Sequence, residues 1–334
     1  METVLITGGA GYVGTNLIYY LLENKHNVVV IDKLSNSNAR NLFALEKYFK
    51  TKIKYYDFDL NEQQKLEEVI KQNNISCVVH LAGKKYVQES LDFPNLYLKG
   101  NLEMTSSLLK AMANCQIKKL IFASTIQIFG IPKELPINEN TQIAPSNPYG
   151  QSKALCERLI SNFAQEDSTR CVSILRFANI VGARTTPVVL GDSFLGKYKN
   201  IFDIVHNCIK TNTPLSINGK NHKTKDGTTE RDYIHIQDLT KVVYDICLNN
   251  KAGLNYYTIG NGSNTTSVLD IVKSFEKQTN KKIKIIVGKA RIGDADVLST
   301  DNSKIVEDFG YKQTMLLDDT VKSVIEFNRR INQE

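Results

Sequence analysis

Short apolar runs alternate with longer stretches of helical period along the first half of the chain. TVLIT (3–7) precedes a helical pattern from about 12 to 24, and NVVVID (27–32) precedes a polar Ser/Asn stretch. IKYYDFDL (53–60) is followed by a charged amphipathic segment over 61–73, and SCVVHLAG (76–83) by a long helical region near 94–114. KKLIFAST (118–125) leads through a proline-rich loop to a helix opening near Pro148, and CVSILRF (171–177) follows. The strands are continuously apolar rather than alternating, which predicts a parallel sheet covered on both faces. Connection and handedness rules make this an α/β fold with a Rossmann-type, doubly wound parallel sheet.

Beyond about residue 178 the pattern loosens. It predicts a loop-rich stretch over 178–230 with one helix near 200–211, then a strand and helix in RDYIHIQDLTKVVYDICLNN. A further sheet strand in LNYYTIGN, an amphipathic helix over 266–279 and two short tail helices complete the chain. The expected organisation is a dinucleotide-binding unit of residues 1–177 plus about 231–261. A smaller interleaved C-terminal lobe takes about 178–230 plus 262–334 and carries the substrate.

The chain has 334 residues, 42% of them hydrophobic, enough for a large core. Its formal charge of +7 is spread over scattered lysines, without the basic run and interleaved aromatics that mark nucleic-acid binders. No apolar run nears the roughly 20 residues of a membrane span, and METVLITGG opens a strand rather than a signal peptide. The six cysteines make no CxxC pair or metal-spaced cluster, so no metal is expected. Cys77 and Cys171 sit in strand-like runs and read as buried free thiols of a reducing cytoplasm.

TGGAGYVG places Gly8, Gly11 and Gly14, around Tyr12 and Val13, between the first strand and the first helix. Glycines there allow a tight turn and close approach of a pyrophosphate to the helix N-terminus. Asp32 ends the second strand, where a carboxylate accepts from both ribose hydroxyls and repels a 2′-phosphate, so the cofactor reads as NAD. Asp59, with Leu60, ends the third strand near the expected adenine position. Ser124 and Thr125 end the strand KKLIFAST, on the side where doubly wound sheets bind ligands. In SNPYGQSK, Tyr149 and Lys153 lie one helical turn apart on the same face. A phenol with a pKa near ~10 is a poor base at neutral pH. One cation at about 4 Å supplies about 4 kcal/mol at an effective dielectric near 20, which is about three units. Lys153, with oxidised nicotinamide as a second charge, is expected to make Tyr149 a working base.

These stretches, with HLAGKKYVQES, DGTTERDYIHIQDL and ARIGDADVLSTD, resemble the extended short-chain dehydrogenase/reductases over nearly the whole chain. Among them the chain resembles the UDP-glucose (UDP-galactose) 4-epimerase family. The resemblance implies that Leu81, Ala82, Gly83, Lys85, Asn101 and Phe177 join the NAD site. It further implies that Tyr149 is the base, that Lys153 binds the nicotinamide ribose, and that Thr125 with Ser124 bridges the sugar hydroxyl to the phenolate. Asn179, Asn200, Arg231, Arg291 and Asp294 would hold the nucleotide part of a UDP-sugar, and Leu298 would influence acceptance of N-acetylated hexoses. Two arginines and an aspartate suit a diphosphate and a ribose in chemical type. The implied reaction is epimerisation at C4 through a transient 4-keto sugar, with apolar stripes over 94–114 and 150–166 forming a homodimer contact. Related dehydratases carry an Asp-Glu pair after the threonine; Ile126 and Gln127 stand here and provide no acid or base. Ile180 and Arg184 replace a Pro and a His of the family pattern. The rival readings are an epimerase or decarboxylase of another nucleotide sugar, such as UDP-glucuronate or a GDP-sugar, and a non-catalytic NAD-binding sensor.

Overall fold

The computed structural model describes residues 2–35, 37–192, 200–291 and 294–331. Strand β1 (Thr3–Thr7) is apolar over residues 4–6 because helices cover both its faces. Val4 and Ile6 point into one core and Leu5 into the other. The same division runs through β2 (Asn27–Ile31), β4 (Cys77–His80), β5 (Lys119–Thr125) and β6 (Cys171–Phe177). With β3 (Lys54–Tyr56) and β10 (Gly253–Ile259) they form a seven-stranded parallel sheet in the order β10-β6-β5-β4-β1-β2-β3. Helices α1 (Tyr12–Glu23), α2 (Arg40–Phe49) and α8 (Ile236–Leu248) pack on one face, and α3 (Gln63–Gln72), α5 (Pro94–Asn114) and α6 (Pro148–Gln165) on the other. The strand order reverses between β1 and β4, and the crevice beyond their C-terminal ends is where such sheets bind ligands.

The smaller lobe is built on β7 (Asn179–Val181), β9 (Glu230–His235), β11 (Thr265–Ser267) and β13 (Val297–Leu298), with β9 paired to each of the others. Strands β8 (Leu215–Asn218) and β12 (Ile285–Gly288) pair in parallel beside it. Helices α7 (Ile201–Thr211), α9 (Val268–Thr279) and α11 (Leu317–Ile331) enclose this lobe's core around Phe202, Phe275 and Val321.

The chain crosses between the two units more often than the sequence pattern indicates. Residues 230–235, grouped above from 231 with the large sheet, pair in the small sheet, while α8 and β10 return to the large one. Ile305 and Tyr311, on and just after α10 (Ser303–Phe309), also bury in the large sheet's core. IKYYDFDL is a strand only over Lys54–Tyr56, and the β8–β12 pair carries no clear signal in sequence. The six cysteines are free; Cys77 is buried, whereas Cys171, at the start of β6, is half-buried. Among the described residues no helix is long and apolar enough to cross a membrane, and no group of His, Cys, Asp and Glu has metal-site geometry.

Candidate functional site

The crevice begins at the glycine turn. Gly8 has φ +70°, and a Cβ there would stand 2.7 Å from the Ala82 amide nitrogen, so only glycine lets the end of β1 lie against the segment after β4. A Cβ on Gly14 would meet the Gly9 backbone at 2.6 Å, so the helix start closes on the turn. Gly11 caps α1 in an extended conformation, and no side chain caps that end. The first-turn amides around Tyr12 and Val13 therefore face an anion site without a competing carboxylate. Tyr12 is buried and donates its hydroxyl to the Gly182 carbonyl, joining this turn to the lobe.

Asp32 ends β2, and its carboxylate accepts from the Ala10 amide (3.1 Å) and the Leu34 amide (2.8 Å). Burial raises its pKa, and those two amides oppose the rise. Asp59 instead pairs with Lys33 at 2.5 Å and accepts from the Asn61 amide, while Leu60 is buried beneath α3. Leu81 and Ala82 line the end of β4, half-buried. Gly83 leaves room for the Asn101 oxygen and the Lys153 ammonium, which would lie 3.1 and 3.6 Å from a Cβ there. Asn101 holds the turn by accepting from the Lys84 amide (2.8 Å) and donating to the Ser152 hydroxyl (2.9 Å). Lys85 reaches Asp192 at 3.6 Å, and Phe177 is buried at the end of β6.

Tyr149 is brought to β5 by three local devices. Pro148 opens α6, the Asn147 side chain accepts from the Gly150 amide at 2.8 Å, and Gly150 admits the Gln127 carbonyl, which a Cβ would meet at 2.4 Å. The phenol is buried edge-on to Tyr97, with ring centroids 6.3 Å apart. Burial pushes its pKa up to about 12, and the nearby Thr125 hydroxyl works the other way. Lys153 is also buried; its ammonium donates to the Ala123 carbonyl at 2.8 Å and lies 4.6 Å over the Phe122 ring. Burial lowers its pKa, opposed by Cys156 and Glu157. The expectation that Lys153 itself brings the phenol down is therefore corrected for the chain alone. Loss of hydration around the phenolate outweighs the chain's own stabilising contacts.

Ser124 corrects a second expectation. Strand alternation puts it on the same face as Phe122, toward α6, and its hydroxyl donates to Glu157 at 2.5 Å instead of facing the crevice. Thr125, one residue on, keeps the site.

At the lobe end, Arg231 is nearly buried and pairs with Asp294, while its Nη1 donates to the Glu230 carbonyl at 2.8 Å. Arg291 is exposed and donates through Nε and Nη2 to the Asn218 amide oxygen at 3.1 and 3.2 Å. The Asp296 carboxylate accepts from His222 Nδ1 at 2.7 Å, fastening the 294–298 segment to the loop before β9. Asn179 opens β7; Asn200 caps α7 by accepting from the Phe202 amide at 2.9 Å. Leu298 is buried among Ile126, Ile128, Phe129, Ala178 and Ala295. Of the loop 184–200, Arg184 lies buried over the rings of Tyr19 (3.8 Å) and Tyr20 (4.7 Å), and residues 193–199 lie outside the described residues. Asn218, His222, Glu157 and Arg176 were not singled out from sequence, since their partners are distant in the chain; only the 147–157 spacing, which puts Glu157 one turn past Lys153, carried a signal.

A family model described as GDP-mannose 4,6 dehydratase matches residues 5–324. The chain belongs to this family of extended short-chain dehydrogenase/reductases. Family relatives include UDP-glucose 4-epimerase 2 of Arabidopsis thaliana, 34% identical over 322 residues, spanning 93% of this chain and 90% of that one. The solved UDP-glucose 4-epimerase of Bifidobacterium longum, in complex with NAD+ and UDP, superposes with a TM-score of 0.92 at 33% identity over 98% of each chain. That of Stenotrophomonas maltophila, with bound NAD and formylated UDP-arabinopyranose, has a TM-score of 0.95 at 26% identity over 100% of this chain and 99% of that one. Thr125 at the end of β5, and Tyr149 and Lys153 on α6, thus lie in a family fold shared with nucleotide-sugar epimerases.

Proposed function

We propose that this chain is an NAD-dependent epimerase inverting C4 of a UDP-hexose, interconverting UDP-glucose and UDP-galactose. The observation that carries the reading is the buried Tyr149 phenol with Thr125 near enough to favour its phenolate, Lys153 buried one turn on, and an uncapped glycine turn in the same sheet. The residues suit NAD: the α1 amides take the pyrophosphate, Asp32 the adenosine ribose, and Lys153 the nicotinamide ribose, with Lys85 and Asn101 bordering the site. NAD supplies reversible hydride acceptance from C4 of the sugar. Tyr149 takes the proton of the 4-hydroxyl and returns it after the sugar has turned, and Thr125 orients that hydroxyl. Arg231 and Arg291 hold the diphosphate, and Asn179, Asn200 and Asp294 the rest of the nucleotide, so the hexose is free to rotate between its two faces. Leu298 limits the space beside the hexose. Although the matching family model is named for a dehydratase, Ile126 and Gln127 offer no acid or base for water elimination.

The enzyme acts in the cytoplasm as a homodimer, joined through the outer faces of α5 and α6, where Leu96 and Leu155 are exposed. Sedimentation of the purified protein tests the dimer. Turnover of UDP-galactose by the wild type and by Tyr149→Phe tests the reaction: the wild type is active and the variant is not. Equal inactivity of both, with NAD bound, supports a sensor instead. A product of another nucleotide sugar formed faster in a small substrate panel overturns the choice of hexose.

A further inference from the structure

Behind the Tyr149 helix lies a charge pair sealed from solvent. The Glu157 and Arg176 side chains are 3% and 4% exposed and meet at 2.9 Å. Arg176 Nε makes a second bond to Glu157 at 3.3 Å, Nη1 donates to the Glu139 carbonyl at 3.0 Å, and the guanidinium lies over Tyr256 at 4.5 Å and Phe129 at 5.2 Å. The other Glu157 oxygen interaction, from the Ser124 hydroxyl, is 2.5 Å long. Ser124 and Arg176 are register partners on β5 and β6, and the next residue on β5 is Thr125. Glu157 itself follows Lys153 by one helical turn and Tyr149 by two. One carboxylate therefore fastens α6 to two strands at the row immediately before the one that receives the Tyr149 phenol.

Apolar contacts elsewhere on α6, from Cys156, Ile160 and Phe163, tolerate small slides of a helix over a sheet. A directional pair does not. Desolvating two charges is costly, and apolar residues of similar volume often hold a fold as well or better. A pair retained here at that cost points to placement rather than to stability.

We propose that Glu157 is a positioning residue, whose clasp by Ser124 and Arg176 sets the register of α6 so that Tyr149 meets Thr125 and Lys153 reaches the cofactor ribose. This role rests on the reaction proposed above. Glu157 also faces Lys153 electrostatically, with Cys156 on the same helix and His80 on β4 as the other titratable groups beside that ammonium. Its negative charge favours the protonated lysine.

The variant E157Q leaves Arg176 buried without a counter-charge and lowers the melting temperature whatever the role of Glu157. The discriminating variant is E157M/R176M, which removes both charges and keeps apolar bulk. Its melting temperature is expected at or above that of the wild type. Its kcat on UDP-galactose is expected to fall on the order of 10²-fold with little change in KM, the effect of a small misplacement of reacting groups. NAD affinity, measured by calorimetry from pH 6 to 10, reports Lys153 without turnover. Its alkaline loss is expected to move down in the double variant, partly offset by the departure of the Arg176 charge. A stable double variant with wild-type kcat and an unmoved NAD titration overturns the proposal. If the wild type binds NAD but turns over no sugar, the reaction is wrong, and the NAD titration alone then decides the role of Glu157.

Discussion

Replacing Lys153 by methionine isolates the charge on which the base depends. Within the chain, with Lys153 in place, burial pushes the Tyr149 phenol up to about 12, and Thr125 works the other way. A base working at pH 7 needs about five units less, or about 7 kcal/mol at about 1.4 kcal/mol per unit. Lys153 is already present at the value of about 12, so the lowering has to come with bound NAD, whose oxidised nicotinamide adds a cation contributing about 4 kcal/mol at about 4 Å and an effective dielectric near 20. The remaining 3 kcal/mol or so requires the Lys153 ammonium to be drawn toward the phenol by the nicotinamide ribose it binds. Among the described residues Lys153 is in no salt bridge; its ammonium donates to the Ala123 carbonyl. K153M should therefore raise the phenol of the NAD-bound enzyme by about two units and lower kcat at pH 7 by about 10²-fold. The assay is UDP-galactose turnover at saturating NAD from pH 6 to 10, with bound NAD and melting temperature measured in parallel. The rate of the variant should climb tenfold per unit toward pH 9 and beyond. A variant that binds NAD, keeps kcat within tenfold at pH 7 and shows an unshifted profile would refute the electrostatic account.

Thr125→Val removes the hydroxyl that opposes burial at Tyr149 and that should hydrogen-bond the phenolate. A bond to a charged group contributes about 2 kcal/mol, so kcat should fall about 30-fold at pH 7 and recover partly at pH 9. Asp203, in the first turn of α7, has its carboxyl pushed up to about 7 by burial and by Asp192, with Lys85 opposing. The native state thus binds its proton more tightly than the unfolded chain, and stability is lost as pH rises from about 4 to 7, by up to about 4 kcal/mol. D203N should raise the urea midpoint at pH 8, and the gap from wild type should narrow toward pH 5; an equal gap at both pH values contradicts the assignment. Leu298→Tyr forces a larger ring into a filled cluster at a cost of about 1–3 kcal/mol. It should abolish any turnover of UDP-N-acetylgalactosamine while sparing UDP-galactose, read by product chromatography.

Two glycines and an asparagine show how far local sequence reaches. Gly8 and Gly14 were legible because a positive φ and a backbone-to-backbone approach leave no room for a Cβ. The turn at Tyr149 was legible because Asn147 and Pro148 act on neighbours two or three residues away. Ser124 was misjudged because its direction depends on which face of β5 meets α6, and its partner Glu157 lies 33 residues on. The upward shift of the Tyr149 phenol depends in the same way on residues that enclose it from other elements, Tyr97 among them.

The amino-acid sequence by itself determined the alternation of elements, the glycine turn, the placement of Asp32 at the end of β2 and the Tyr–Lys spacing, all of which are short-range consequences of backbone sterics and helical period. Tertiary structure alone decided that β9 leaves the large sheet, that half-buried Asp203 comes within electrostatic reach of Asp192, and that Glu157 clasps Arg176. Those outcomes follow from desolvation and from pairing between groups far apart along the chain, and no local pattern encodes either.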